Sequence, residues 1–403
     1  MELKKLSSSL LFRVVVAIIA GIVCSFFFPV WLARIFATFN GLFGNFLSFF
    51  VPVLIFALIT PAIAGLGRGA GKWLGITTGV AYVSTIVSGI IAYLLSLAVY
   101  PILLGGDRLS SAVDVEEGAL QPYFTVEMAP PLEVMSALLL AFAVGLSMTV
   151  VKSDTLYEGA KDLQRVVMKV IENFIIPLLP VFIFGMFLGL GMNGNLTYTL
   201  ITFGKVLILA TVMTILYVIV QYLLAGGIAG VNPLRALKTM LPAYATALGT
   251  SSSAATIPVT YSCARKNGVE HNVAGFVVPL CATIHLAGSM MKIGLFAFSI
   301  MYMTETPVSP GLAVGFIMML GITMIAAPGV PGGAIMAAVG LLQSMLGFDG
   351  DQVALMIAAY IAIDSFGTAA NVTGDGAIAL IINRFAKDSM PESQAAEEAG
   401  LVD

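Results

Sequence analysis

Polar and apolar positions along this chain group into long blocks and show no sustained alternation of the kind that marks half-buried strands. Apolar runs cover residues 10–30, 40–66, 74–104, 134–151, 166–190 and 197–225. A bilayer core is crossed by a helix of about 20 apolar residues, so each run predicts a transmembrane helix. Beyond residue 230 the pattern changes. Residues 234–265 are moderately apolar but broken by TALGTSSSAATIP, and residues 273–302 read as a long helix. Residues 310–348 are broken by APGVPGG, and residues 353–386 read as a last helix. The two halves share a layout. In each, a broken segment precedes a helix with polar or small residues at its middle, ATIHLAGS in one and DSFGTAANVTGD in the other. Paired, Gly/Pro-interrupted apolar segments of this kind point to a transporter binding site.

Charge placement tests the layout. Suppose the N-terminus is cytoplasmic and each broken segment returns to its own side as a re-entrant hairpin. Of the 19 Lys and Arg, all but Arg34, Arg108, Lys205 and Lys292 then fall on the cytoplasmic side. This obeys the positive-inside rule. If the broken segments crossed instead, Arg265, Lys266, Arg384 and Lys387 could not share that side. The first hairpin thus enters from inside and the second from outside, as an inverted repeat. The expected fold is an all-α polytopic membrane protein with eight transmembrane helices and two re-entrant helical hairpins. It would lie in the plasma (inner) membrane with both termini cytoplasmic.

Composition agrees. The 403 residues are 59% hydrophobic and 10% charged, with a mean hydropathy of +1.00; soluble domains are about 45–50% apolar and about 25% charged. The net charge of −3 adds little. The partners implied are a lipid bilayer and a small molecule, with no nucleic acid. Cys24, Cys263 and Cys281 show no metal spacing and read as small apolar residues. No GxxxxGK[ST] occurs, which argues against transport powered directly by ATP. No cleavable signal is expected at MELKKLSSSLLFR, and residues 387–403 read as a solvated acidic tail.

Candidate chemistry gathers in the second half. An ionised group at bilayer depth is costly and marks a functional site by default. On a helix, Asp364, Thr368, Asn371 and Asp375 fall within an arc of about 60°. Asp375 with Asn371 makes a hard-oxygen set suited to Na+ or another small hard cation. The natural partner of Asp364 is an ammonium group, from a substrate or from Lys292. Lys292 lies seven residues after His285 and would share its helix face. His285 is either a packed, hydrogen-bonded residue or an ion- or proton-site residue. The tip at residues 250–258, TSSSAATIP, offers hydroxyls and helix N-terminal N–H groups to an anion such as a carboxylate. The glycines of the tip at residues 327–333, APGVPGG, let backbone approach a ligand closely.

The segments SSSAATIPVT, VPLCATIHLAGS, PGVPGGAIM and DSFGTAANVTGD resemble, in the same order, the motifs of the dicarboxylate/amino acid:cation symporter family, the glutamate and neutral amino acid transporters. The close likeness covers about residues 241–382; the earlier spans are similar in number and layout only. The resemblance implies a homotrimer and an elevator motion coupled to Na+. Residues 1–72 and 105–195 would be scaffold, residues 73–104 and 196–386 transport domain, and residues 387–403 a tail. Asp364 would hold the substrate's α-ammonium, and Asn371, Ser252 and Ser253 its α-carboxylate. Thr368, Ser289, Val330, Gly332 and Gly367 would line the same site. Asp375 and Asn371, with carbonyls near Cys281 and His285, would form one Na+ site. Carbonyls of Thr283, Met324, Ile325 and Ala327 would form a second.

The chain departs from the family pattern at telling places. Acidic-substrate members carry an Arg where this chain has Gly367, and Ser251 stands where some place an Arg in the first tip. Without a fixed guanidinium a side-chain carboxylate would be unpaired. The expected substrate is therefore a neutral amino acid like serine, threonine or alanine, as in the serine/threonine-like branch. The motif NMDGT reads HLAGS, so His285 replaces an Asn and Ala287 an Asp. Tyr82 and Thr85 remain at the third Na+ site, but fewer than three Na+ per cycle are expected, with H+ as an alternative ion. Competing readings are a H+- or Na+-coupled carrier of dicarboxylates or other organic anions, with Lys292 as the anion's partner, and an ion channel. An intramembrane hydrolase using a tip serine and His285 would be an enzyme, but no GxSxG supports it.

Overall fold

A computed structural model of the chain describes residues 10–68, 71–105, 120–151, 153–192, 194, 196–325, 327 and 331–386. All regular structure among the described residues is helical. Helix α1 (Leu10–Ser25) stops before Pro29 and α2 (Val30–Arg68) starts directly after it. Proline lacks an N–H and disfavours helix in the residue before it. The break therefore falls earlier than the apolar pattern suggested, and Arg34 becomes part of α2. Arg34 Nε donates to Gln121 O at 2.9 Å, and its guanidinium sits 4.3 Å from the centre of the Tyr123 ring. Asn45 Nδ2 donates to Val126 O at 2.8 Å, so the segment beyond residue 120 is tied along α2.

Helices α3 (Gly71–Leu103) and α4 (Val134–Val151) follow the expected runs. Next comes a helix that apolarity alone did not signal, α5 (Asp154–Val170). Ser153 caps it by accepting the Leu156 N–H at 3.3 Å. Its exposed face carries Lys161–Glu158 and Arg165–Asp162 pairs, one turn apart. A π-turn at Ile171–Ile175 joins it to α6 (Ile176–Met192). Helix α7 (Leu196–Ala229) ends at Gly230, whose φ of 71° suits a glycine stop. The short α8 (Pro233–Thr239) leads into the second half.

There the breaks fall where the tips were expected. Helices α9 (Leu241–Thr250) and α10 (Ser253–Lys266) flank the first tip. Helices α11 (His271–Ile284) and α12 (Ala287–Met303) are parted at His285–Leu286. Helices α13 (Pro310–Ile325) and α14 (Gly333–Leu346) flank the second tip, and Val330 lies outside the described residues. The expected single helix over 353–386 is instead two, α15 (Gly350–Ala362) and α16 (Asp364–Ala386), bent by 61°. An Asp349–Gln352 capping box starts α15 upstream of the apolar run.

By length and apolarity, five described stretches can cross a bilayer, and the bent α15–α16 pair makes a sixth. Helices α1, α4, α13 and α14 are apolar but shorter over their described lengths. Helix α16 lies at the centre of the second half, packed against α7, α9, α10, α11 and α12. Helix α2 packs on α4, α5 and α6, and α1 packs on α6. Helices α14 and α15 touch both groups. At Gly288 on α12 an added Cβ would fall 2.7 Å from Gly367 O and 2.9 Å from Ala370 Cβ, so glycine lets α12 meet α16 backbone to backbone.

Candidate functional site

The polar stripe survives the bend, because Asp364 is the first residue of α16 and Asp375 lies on the same helix. Asp364 is 6% exposed, so its carboxylate needs partners. Its Oδ2 accepts the Gly332 N–H of the second tip at 2.8 Å. Gly332 has a φ of 75°, a left-handed conformation that glycine adopts without strain. Asp364 Oδ1 lies 3.6 Å from Lys292 Nζ. The Lys292 ammonium also donates to Ile363 O at 3.1 Å and Asp364 O at 3.4 Å, and sits 4.1 Å from the centre of the Tyr360 ring. Lys292 is fully buried. A Cβ at position 367 would fall inside van der Waals contact of Lys292 Cε and Nζ. The volume left by the missing side chain of Gly367 therefore holds an ammonium from another helix.

One turn along, the Thr368 hydroxyl donates back to Asp364 O at 3.0 Å. Asn371 works on the start of α12. Its Oδ1 accepts the N–H groups of Gly288 at 2.8 Å and Ser289 at 3.4 Å. Its Nδ2 donates to Ser289 Oγ at 3.1 Å, which also accepts the Tyr360 hydroxyl at 2.9 Å. Asn371 thus satisfies orphan donors at a broken helix's N-terminus, a use that its residue type did not reveal. In the first tip, Ser252 caps α10 by accepting the Ala255 N–H at 3.3 Å, and Ser253 opens the helix. Ser251 before them is left-handed, with φ 49°, an uncommon state for a residue with a side chain.

The far end of the stripe is a second buried pair. His285 Nδ1 lies 2.9 Å from Asp375 Oδ1. Its Nε2 lies 3.0 Å from Ser84 Oγ on α3 and 3.3 Å from Gln221 Nε2 on α7. Gln221 Nε2 donates to Ser84 Oγ at 2.9 Å, while the buried Gln221 Oε1 has no partner among the described residues. Tyr217 OH donates to Ser84 O at 2.6 Å. At Gly374 an added Cβ would fall 2.6 Å from His285 Cε1 and 2.8 Å from Gln221 Oε1, so the glycine admits the imidazole. Because α12 begins at Ala287, His285 and Lys292 do not belong to one helical face as the spacing implied. Each serves a different Asp.

Among the expected ion-site residues, His285 and Asp375 meet, and others have contacts of their own. The Cys281 carbonyl accepts the His285 N–H at 2.9 Å, and Met324 O accepts the Ala327 N–H at 3.2 Å. Thr283 is exposed, with its hydroxyl on Leu280 O at 2.7 Å, and Ile325 is half-buried. No group of three or more His, Cys, Asp or Glu among the described residues could hold a metal. An alkali cation needs oxygens only, and the unpartnered Gln221 Oε1 beside the His285–Asp375 pair is such an oxygen. Tyr82 turns to Met318 O at 3.2 Å and Thr85 to Ala81 O at 3.0 Å; Ser84, between them, joins the buried network. Sequence reasoning missed Ser84, Tyr217, Gln221 and Tyr360. The available signal was polar groups inside apolar runs.

The sequence pattern of the sodium:dicarboxylate symporter family matches residues 10–385. Excitatory amino acid transporter 3 of Oryctolagus cuniculus is 32% identical over 172 residues, 42% of this chain and 33% of that protein. Its counterpart in Mus musculus is 33% identical over 172 residues, with the same coverage. Excitatory amino acid transporter 1 of Homo sapiens is 32% identical over 160 residues, 40% of this chain and 29% of that protein. The chain thus spans about a third of the length of these relatives. With the family pattern running from α1 to the last residues of α16, the chain belongs to the sodium:dicarboxylate symporter family, a family of polytopic membrane transporters and not of enzymes.

Proposed function

We propose that this protein is a secondary active transporter that couples the uptake of an amino acid to Na+. Family membership supports Na+ as the coupled ion. The observation that carries the substrate class is Asp364, a buried carboxylate at a helix N-terminus, closed over by the N–H of Gly332 and already within reach of one ammonium group. A substrate ammonium would meet the same oxygens, and Ser252 and Ser253 on the first tip would meet its α-carboxylate. Thr368, Asn371 and Ser289 would back this site.

The cation end would be built around Asp375. His285 already shares one of its oxygens, and Ala287 brings no carboxylate, so fewer than three Na+ per cycle are expected. The Na+ would draw on Asp375, Gln221 Oε1 and backbone carbonyls of α11 and of α13. Helices α3 and α7–α16 would move as the transport domain against a scaffold of α1, α2 and α4–α6, in an elevator motion within a homotrimer whose termini face the cytoplasm. The packing of most of these helices around α16 supports the first grouping, and that of α4–α6 on α2 the second.

Gly367 taken alone favours a substrate like serine, threonine or alanine, since no guanidinium stands there. The Lys292 ammonium in that same space favours instead a substrate with an anionic group. A thermal-shift screen of the purified chain against the common amino acids and against succinate, each with and without Na+, separates the classes, because a ligand of the folded state raises apparent stability by mass action. An amino acid that stabilises only with Na+ is the expected result. Stabilisation by succinate and by no amino acid would overturn the amino acid reading in favour of the organic-anion carrier.

A further inference from the structure

Lys292 is a fully buried cation with one carboxylate for company among the described residues. If an amino acid's ammonium binds Asp364, the pair is disturbed. A buried charge that loses its partner costs several kcal/mol, so Lys292 must then find another anion. Its anchoring limits where it can look. The ammonium is fixed by Ile363 O at 3.1 Å, by Asp364 O at 3.4 Å and by the Tyr360 ring at 4.1 Å, while the carboxylate contact at 3.6 Å is the longest of its oxygen contacts. It can release Asp364 Oδ1 without leaving its seat. That seat is the volume in front of Gly367, open to an ammonium only because position 367 has no Cβ.

We propose that Lys292 is a specificity-determining residue that exchanges partners. Without substrate its ammonium rests on Asp364. With substrate the incoming ammonium takes Asp364, and Lys292 takes a second carboxylate on the substrate's side chain. This rests on the amino acid reading above and deepens it: the substrate class is an acidic amino acid. A neutral amino acid would take Asp364 and leave Lys292 buried without an anion. A plain dicarboxylate would take Lys292 and leave Asp364 in the same position. A molecule with both groups satisfies both residues at once, and its α-carboxylate is left for the hydroxyls of the first tip. The absence of a guanidinium at 367 is therefore not the absence of a cation there. The charge comes from α12, where a comparison made position by position along α16 does not look.

The test is a binding titration of the purified full chain with aspartate, glutamate, serine, alanine and succinate in Na+. The unaltered protein is expected to bind an acidic amino acid at least about tenfold more tightly than serine, the ratio that about 1.4 kcal/mol of added charge pairing provides. Lys292→Met is expected to reduce acid binding by about tenfold or more while serine binding holds or tightens, because serine then leaves no buried cation without an anion. Gly367→Ala keeps the lysine but pushes its ammonium out of place, and is expected to lower acid binding in the same direction. The double variant Lys292→Met with Gly367→Arg restores a cation to the space from α16 and is expected to recover acid preference, which a purely structural role for Lys292 would not produce. Serine binding more tightly than both acids in the unaltered protein overturns the proposal. So does an equal loss of serine and aspartate in Gly367→Ala or Lys292→Met, because Lys292 would then read the α-carboxylate common to all amino acids. Binding of succinate with no binding of any amino acid overturns the amino acid reading itself.

Discussion

At the scale of single residues, two carboxylates organise the site, and each has its own nitrogen partner from the α11–α12 region. Asp364 with Lys292 is one pair and Asp375 with His285 the other. The stripe DSFGTAANVTGD was legible because carboxylates in an apolar run are costly enough to require a purpose. Lys292 was legible as a candidate partner for Asp364. What could not be read was the shape of that meeting, since a glycine on one helix and a lysine on another become complementary only when the helices are packed. The bonds of Asn371 to the start of α12 could not be read for a related reason: a broken helix creates orphan N–H groups, and the break was visible only as a run of small residues. Asp364→Asn is expected to abolish amino acid binding and to destabilise the fold by about 3–5 kcal/mol, because it strands the buried Lys292 ammonium. Adding Lys292→Met to that variant is expected to recover much of the stability but none of the binding, as read by thermal unfolding beside titration.

At the scale of elements, apolar periodicity gave the existence of nearly every helix and misplaced several ends. The ends depend on local chemistry that hydropathy ignores. Pro29 parts α1 from α2, the Asp349–Gln352 box sets the start of α15, and Ser153 starts a helix whose face is too polar to read as a span. The bend at Ile363 was the largest surprise in the second half. It puts Asp364 at a helix N-terminus, where a carboxylate is favoured, and sets Ile363 O within reach of Lys292. The crossing of α12 and α16 at Gly288 is an element-scale requirement too. Gly288→Ala would place a methyl group against Gly367 O, a backbone atom that cannot swing aside. It is expected to cost about 1–3 kcal/mol by overpacking and to weaken substrate binding, since Asn371 holds the same turn of α12. Thermal unfolding and titration of the variant check both effects.

At the scale of the whole molecule, the elevator reading requires α14 to slide past α2. The two helices are joined in this structure by a hydrogen bond from Gln343 Nε2 to Ser48 Oγ at 2.9 Å. A Ser48→Cys, Gln343→Cys double variant is expected to lose uptake on oxidative cross-linking and to regain it on reduction, while the single variants ignore the oxidant. Uptake that persists through full cross-linking would argue for a local gate in place of an elevator. The two broken segments were legible from hydropathy alone, because Gly, Pro and Ser interrupt apolar sequence at matching places in both halves. The number of crossings was less so, since α1, α4, α13 and α14 fall short of a full span over their described lengths.

The central claim is that a Na+ gradient drives an amino acid through the site built on Asp364. Its most direct test is uptake of radiolabelled aspartate and serine into liposomes containing the purified protein, under an inward Na+ gradient or under a proton gradient without Na+. The account predicts uptake with the Na+ gradient, none with the proton gradient alone, and loss of the Na+-driven signal in Asp364→Asn. Uptake driven by the proton gradient in the absence of Na+, or unchanged uptake in Asp364→Asn, would contradict it.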